Sequence, residues 1–221
     1  MISLFYVDTQ CLRLQSGEIL AQLSEERREK VFFYRFSKDR LLSLAAGCLL
    51  DYGLRGYGLQ EKTAPIRYEK NGKPYIEGRP LFFNLSHSGN FAACAFSDRE
   101  IGVDVEKIRL PDPALLERVC VADERRYLNT LEGDNLADQF TMLWTMKESY
   151  MKYLGTGLSL DPLELEIDFQ NPLTLCHCGQ PAAVRFRTYH IRDCQLSVCS
   201  EEDDFPSLPT PVTSADLQKK V

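Results

Sequence analysis

The sequence of 221 residues has no apolar run long enough to cross a membrane, which takes about 20 residues in a helix. It has no basic leader either: Met1 to Val7 runs straight into Asp8, which is typical of a first strand and not of a signal peptide. Positive charge is not in excess, and the formal net charge of -6 disfavours a nucleic-acid partner. We therefore expect a cytoplasmic protein that binds neither membranes nor nucleic acids.

Paired C-x₂-C spacings are also missing, although the sequence contains eight cysteines. Cys176-His177-Cys178, with Cys194 and Cys199 downstream, shows C-x-C and C-x₄-C spacings that do not match the usual zinc pattern. Because no signal peptide is evident, we interpret the cysteines as reduced thiols in the cytosol, without metal chemistry.

The composition is that of an ordinary globular protein, with 44% hydrophobic and 26% charged residues. A chain of this length forms one large domain or two small ones. Pro111-Asp112-Pro113 reads as a linker followed by a new helix, with Asp112 as the helix cap, so we place the boundary near it. We predict an N-terminal subdomain at 1–108, a C-terminal subdomain at 109–202 and a loosely ordered tail at 203–221, which is rich in Pro, Ser and charge.

The segment from Ile101 to Glu106 alternates apolar and acidic residues, which predicts a strand. Asp104 and Glu106 would share one face, about 6.6 Å apart along the strand. Two carboxylates at this spacing can bind one hard cation, and Mg²⁺ usually binds through one or two carboxylates plus substrate phosphates. The alternative is a half-buried strand with a solvated acidic face.

A second candidate carboxylate lies on a predicted helix from Leu136 to Leu154. Glu148 falls nearly opposite the apolar stripe of this helix, and Lys152 follows one turn later, where an i,i+4 ion pair is possible. Trp144, one turn before Glu148, argues that this side is not fully exposed. A carboxylate beside a Trp in a lysine-bearing cleft is a better candidate for chemistry than a surface pair.

Candidate anion-binding residues occur at several element ends in the first half. Arg27 follows the helix cap Ser24, and Arg40 lies near the start of the next helix. Lys73 lies in the Asn71–Pro74 turn, and a strand from Leu81 ends in Ser86-His87. For each of these side chains, an ordinary solvent-facing residue is the alternative.

Taken together, the pattern resembles the Sfp-type 4′-phosphopantetheinyl transferases. The matching motifs occur in the family's order and cover roughly residues 20–160: Gly72-Lys73-Pro74, Phe83-Asn84-Leu85-Ser86-His87-Ser88-Gly89, Ile101-Gly102-Val103-Asp104-Val105-Glu106-Lys107 and Trp144-Thr145-Met146-Lys147-Glu148-Ser149-Tyr150-Met151-Lys152. One position departs from the family, which often carries an Arg near Leu42. Arg40 could substitute, although two residues rotate its side chain by about 200° on a helix.

The resemblance implies an α/β fold of two similar subdomains related by a pseudo-two-fold, with coenzyme A between them. It implies an enzyme that transfers the 4′-phosphopantetheine arm of coenzyme A to a serine of an apo acyl or peptidyl carrier protein, releasing adenosine 3′,5′-bisphosphate. The division into two halves suggests a monomer. Asp104, Glu106 and Glu148 would bind Mg²⁺. The residues that would bind coenzyme A are Arg27, Arg40, Lys73, Ser86, His87 and Lys152.

In this reaction Glu148, directly or through a metal-bound water, is the candidate base, with Asp104 and Lys152 completing the catalytic set. Two other classes of protein remain open. One is a different Mg²⁺-dependent enzyme that cleaves the pyrophosphate of coenzyme A-like substrates. The other is a non-catalytic module that binds coenzyme A or a carrier domain. The sequence does not indicate which carrier or pathway would be served.

Overall fold

The computed structural model describes residues 1–12, 17–169 and 174–218, in which helices and strands are mixed along the chain. This confirms the predicted α/β class. The helices are α1 (Gly17–Ala21), α2 (Glu25–Phe33), α3 (Ser37–Arg55), α4 (Pro113–Val119), α5 (Ala122–Leu128), α6 (Gly133–Leu154) and α7 (Ser214–Gln218). The strands are β1 (Ser3–Asp8), β2 (Ile66–Tyr68), β3 (Pro74–Ile76), β4 (Phe82–Ser88), β5 (Phe91–Ser97), β6 (Ile101–Lys107), β7 (Leu165–Asp168), β8 (Thr174–His177), β9 (Gln180–Pro181), β10 (Arg185–Ile191), β11 (Cys194–Ser200) and β12 (Thr210–Pro211).

Two sheets form most of the fold, and each contains three antiparallel strands in the same order: the last of the three along the chain lies between the other two. In the first, β5 lies between β1 and β4; in the second, β11 lies between β6 and β10. In each half, a long helix comes after the first strand of the sheet and packs on that sheet. Helix α3 packs against β5, and α6 packs against β6 and β11. The two central strands, β5 and β11, are buried along their whole length. Two small sheets, β2–β3 and β7–β8–β9, complete the described strands.

The division between the halves differs from the predicted boundary at 108/109. β6 pairs with β11 over seven residues, from Ile101 opposite Ser200 to Lys107 opposite Cys194. It is therefore the first strand of the second sheet, and the halves divide between β5 and β6. The Pro-rich segment at 111–113 marks only the start of α4, where Asp112 caps the helix as predicted.

The C-terminal segment also differs from the prediction of a loose tail at 203–221. β12 adds to the first sheet parallel to β1, with Thr210 opposite Phe5. Val212 and Leu217 are buried in the core of the N-terminal half. The described part of this segment therefore returns across the molecule and closes the edge of the first sheet.

The halves share a core between the two sheets. Ile101, Val103 and Val105 of β6 pack there against apolar residues of β1 and β5. Because side chains alternate along a strand, Asp104 and Glu106 project to the other face, as predicted. No helix in the described part of the chain is sufficiently long and apolar to pass through a membrane.

Candidate active site

The acidic face of β6 lies directly against α6, and a glycine makes this contact possible. A Cβ atom on Gly102 would lie 1.9 Å from the main-chain oxygen of Ser149. Only a residue without a side chain allows the strand and helix to approach this closely. Glu148 on α6 is thereby brought to the same cavity as Asp104 and Glu106 on β6.

The edge strands β4 and β6 belong to different sheets, and side chains of β4 connect them. Val103 N donates to Asn84 Oδ1 at 3.0 Å, Val105 N donates to Ser86 Oγ at 3.2 Å, and Lys107 N donates to Ser88 Oγ at 3.4 Å. Alternate side chains of β4 thus accept hydrogen bonds from main-chain N–H groups of β6, in place of the carbonyl groups of a neighbouring strand. The motif from Asn84 to Ser88 is therefore part of the junction between the halves.

The same junction places a lysine on the first carboxylate. Lys152 Nζ lies 2.6 Å from Asp104 Oδ1 and donates to Ser86 Oγ at 2.9 Å. Ser86 Oγ in turn donates to Asp104 Oδ1 at 2.8 Å. The ion pair of Lys152 is thus made with Asp104 of β6, whereas the sequence suggested a pair with Glu148 on the same helix.

Negative charge exceeds this single lysine. Asp104 Oδ2 is buried without a hydrogen-bond partner, and Glu106 Oε2 accepts a bond from Ser88 Oγ at 2.6 Å. Desolvation, then Asp104, raises the pKa of Glu106. Desolvation and the neighbouring Asp104 carboxylate raise the pKa of Glu148 to about 7. An additional cation bound among the three carboxylates would relieve this repulsion.

Basic side chains also line the cavity. Its volume is about 280 Å³, and besides the acids and Lys152 it is lined by Arg27, Lys30 and His87. Arg27 is buried, with Nε 3.7 Å from Glu61 Oε1 and without a hydrogen-bond partner. Desolvation lowers the pKa of Lys30 and of His87, and the Lys152 charge lowers that of His87 further. Arg27 and Lys30 could therefore bind an anion beside the acidic cluster.

Seven of the nine predicted site residues line this cavity: Arg27, Ser86, His87, Asp104, Glu106, Glu148 and Lys152. Arg40 and Lys73 are engaged elsewhere. Arg40 Nε donates to the Tyr34 carbonyl at 2.7 Å. Lys73 Nζ lies 2.7 Å from Glu100 Oε2 and donates to the Tyr153 carbonyl at 2.8 Å, which ties the β2–β3 turn to the end of α6. Their roles in ligand binding stay predictions.

Two features of the site were missed at the level of sequence. Ser43 of α3 lines the cavity, and its buried Oγ has no hydrogen-bond partner, so it is free to bind a ligand. It directly follows Leu42, where the family often carries an arginine, but it was not among the predicted site residues. Lys147, next to Glu148, is fully buried and pairs with Glu124 at 2.7 Å. No local sequence pattern predicts this ion pair, because the two residues come from different helices.

Comparison with known proteins agrees with this geometry. A family model described as the 4′-phosphopantetheinyl transferase superfamily matches residues 100–199. A 4′-phosphopantetheinyl transferase of Bacillus subtilis is 31% identical over 208 residues, which span 90% of this chain and 92% of that relative. The 4′-phosphopantetheinyl transferase Sfp of Bacillus subtilis (strain 168) is 30% identical over 220 residues, or 96% and 97% of the two chains. This chain belongs to the 4′-phosphopantetheinyl transferase superfamily.

The chain is thus a 4′-phosphopantetheinyl transferase, as the resemblance of its motifs implied. The matched range begins just before β6 and ends within β11, so it covers the second sheet and α6. Among solved structures, a holo-(acyl-carrier-protein) synthase from Bacillus anthracis in complex with CoA (3′,5′-ADP) is 22% identical, covers 45% of this chain and 92% of that chain, and has a TM-score of 0.40.

Proposed function

We propose that this transferase moves the 4′-phosphopantetheine arm of coenzyme A to a serine of an apo carrier protein and releases adenosine 3′,5′-bisphosphate. It would use Mg²⁺ and act as a cytoplasmic monomer. The observation that carries the proposal is that the carboxylates of Asp104, Glu106 and Glu148 line one cavity together with the basic side chains of Arg27, Lys30 and Lys152. A metal-chelated pyrophosphate with further phosphate groups matches both sets of residues.

The residues present fit a magnesium ion. Three carboxylates supply the hard oxygen ligands that Mg²⁺ prefers. Asp104 Oδ2 is buried and without a partner, which is costly unless a cation or donor occupies that place. When bound there, Mg²⁺ would neutralise charge on the pyrophosphate and polarise the phosphorus that is attacked.

The chain's own residues supply positioning and proton transfer. Lys152 lies beside Asp104 and, as a compact point charge, can stabilise the leaving phosphate. Arg27, Lys30 and His87 can bind the other phosphates of coenzyme A and orient the anhydride. Glu148, in the same cavity, is positioned to accept the proton of the attacking serine, directly or through a water molecule.

Intact-mass spectrometry of an apo acyl or peptidyl carrier tests the reaction. With the full chain, coenzyme A and Mg²⁺, the carrier should gain one phosphopantetheine arm, and adenosine 3′,5′-bisphosphate should appear in equal amount. A carrier whose acceptor serine is replaced by Ala should gain nothing. Cleavage of coenzyme A without a carrier would instead identify a pyrophosphate-cleaving enzyme, and binding without product would identify a non-catalytic module.

A matched pair of variants tests the metal. Asp104→Asn removes a cavity carboxylate and should shift the Mg²⁺ titration of transfer to higher concentrations. Asp134→Asn removes an exposed acid near the start of α6 and should leave the titration unchanged. Identical titrations for the two variants, or full activity in EDTA, would remove Mg²⁺ from the proposal.

A further inference from the structure

Outside the cavity, three different metal-ligating side chains meet beside the β7–β8–β9 sheet. Glu164, His177 and Cys178 each offer one ligand atom, and these atoms all lie within 4.8 Å of one another. We propose that Glu164, His177 and Cys178 form a zinc site that stabilises this small sheet and takes no part in the transfer reaction. The sequence did not predict it, because Glu164 does not belong to the cysteine motif.

The distances are close to those of a tetrahedral site. His177 Nε2 lies 3.7 Å from Glu164 Oε2, and Cys178 Sγ lies 3.4 Å from the same oxygen. With ordinary zinc bond lengths, a tetrahedral site separates N and O ligands by about 3.4 Å and S and O ligands by about 3.6 Å. Two of the three ligand separations are therefore within a few tenths of an ångström of tetrahedral values, and the third, between His177 and Cys178, is within 4.8 Å.

Neighbouring groups already orient the proposed ligands. Tyr150 Oη lies 3.4 Å from His177 Nδ1, so the other ring nitrogen, Nε2, is the one directed at Glu164. Zinc-binding histidines almost always engage their second ring nitrogen in this way. Cys178 N donates to the Glu164 carbonyl at 2.8 Å, which holds two of the ligand residues together through the main chain.

The position of Cys178 is unusual for a cysteine. Cys178 and Gly179 form the two-residue turn between β8 and β9, with φ values of 49° and 75°. Such turns favour Asn, Asp or Gly at the first position, so a cysteine there carries backbone strain. A role for its thiol as a ligand accounts for this choice of residue.

The preceding cysteine supplies a matched control. Cys176 precedes His177 in β8, so its side chain points to the opposite face, where it lines a separate cavity with Glu166 and Asp168. It has the same chemistry as Cys178 but cannot reach Glu164.

On zinc binding the Cys178 thiol would release its proton to solvent, and water would take the fourth ligand position.

Cobalt titration of the reduced, EDTA-treated full chain tests the site, with excess Mg²⁺ present to occupy the acidic cavity. We expect thiolate-to-cobalt charge transfer and tetrahedral d–d absorption that saturate at one Co²⁺ per chain and disappear when Zn²⁺ is added. Cys178→Ser should abolish the charge-transfer band, and His177→Ala should weaken Co²⁺ binding by about tenfold or more. Cys176→Ser should change neither.

Thermal unfolding provides an independent readout, because a metal that binds only the folded state raises the midpoint. Zn²⁺ should raise it for the unaltered chain and for Cys176→Ser but not for Cys178→Ser. Both variants should keep the phosphopantetheinyl transfer activity, which verifies that they fold. The absence of a thiolate band in the unaltered chain, or a band that Cys176→Ser removes, would overturn the proposal.

Discussion

Helix α6 carries two lysine–carboxylate pairs that differ in what surrounds them. Lys147 and Glu124 are buried at 0% and 1% side-chain exposure, whereas Lys152 is 27% exposed beside a buried Asp104. In the Lys147–Glu124 pair, which we call the closed pair, Lys147 Nζ also donates to the carbonyls of Val119 and Pro162, at 2.8 and 3.1 Å. Glu124 also accepts from Val121 N and Ile167 N, each at 2.8 Å.

The difference separates structure from function. In the closed pair every strong donor and acceptor has a partner within the protein, so nothing remains to bind a ligand. The Lys152–Asp104 pair, which we call the open pair, shares its cavity with Glu106 and Glu148, so one lysine lies among three carboxylates. Asp104 Oδ2 lacks a hydrogen-bond partner. Two pairs of the same chemical type thus differ in unsatisfied charge that faces a cavity, and we expect function at the pair that has it.

The largest expected effect is on the open side. Glu148→Gln keeps the shape of the side chain but removes its charge and its ability to accept a proton. Transfer to an apo carrier should fall by about 10²–10⁴-fold in kcat, the usual contribution of a general base. Glu117→Gln, which neutralises an exposed acid on α4, should keep the normal rate. A normal rate for Glu148→Gln would remove Glu148 from the mechanism.

Breaking the closed pair should affect stability instead. Lys147→Met leaves Glu124 as an uncompensated buried charge, which should lower the free energy of unfolding by about 3–5 kcal/mol. Urea unfolding measures this loss. Adding Glu124→Gln to Lys147→Met removes the orphaned charge and keeps one acceptor oxygen, which can serve only one of the Val121 and Ile167 amides, so part of the stability should return.

The folded fraction of the Lys147→Met variant should still transfer the arm at close to the normal rate per molecule. A loss of activity that exceeds the loss of folded protein would mean that the closed pair also takes part in the reaction. A stability change below about 1 kcal/mol would mean that the pair is not a buried anchor.

Ser86 joins the open pair to the junction of the two sheets, and its removal should have a smaller effect. Ser86→Ala leaves the buried Val105 amide without its acceptor, which should cost about 1–3 kcal/mol in unfolding free energy. Ser88→Ala is the comparison: it removes the exposed bond from Lys107 N, which water can replace, together with the bond from Ser88 to Glu106 Oε2. Equal losses for the two variants would contradict a special role for Ser86.

Features that depend on neighbouring residues were predictable from the sequence, and features that depend on distant partners were not. The alternation around Asp104 predicted β6 and its acidic face, and the Ser24 and Asp112 caps predicted helix starts. The partner strand of β6, the return of β12 to β1 and the Lys147–Glu124 pair all join distant segments. For the same reason Lys152 could be placed on the correct face of α6 but not assigned to Asp104.

The last expected effect is a pH dependence that the open site should show in the metal-free protein. The pKa of Glu148 is about 7 in the folded state, above the ordinary value of 4.5 that applies to the unfolded chain. Between these values the folded state holds the proton that the unfolded state has released. The free energy of unfolding should therefore fall as pH rises from about 4.5 to 7. Glu106, whose pKa is also raised, acts in the same direction.

Urea unfolding in EDTA at several pH values measures this slope, and Glu148→Gln should reduce it. Glu124, in the closed pair, also has a raised pKa, so part of the slope should persist in that variant. Excess Mg²⁺ should oppose the fall, because the metal binds the deprotonated carboxylates and only in the folded state. Parallel curves for the unaltered chain and Glu148→Gln would mean that Glu148 ionises as an ordinary solvated acid. The contrast between the two pairs would then rest on geometry alone.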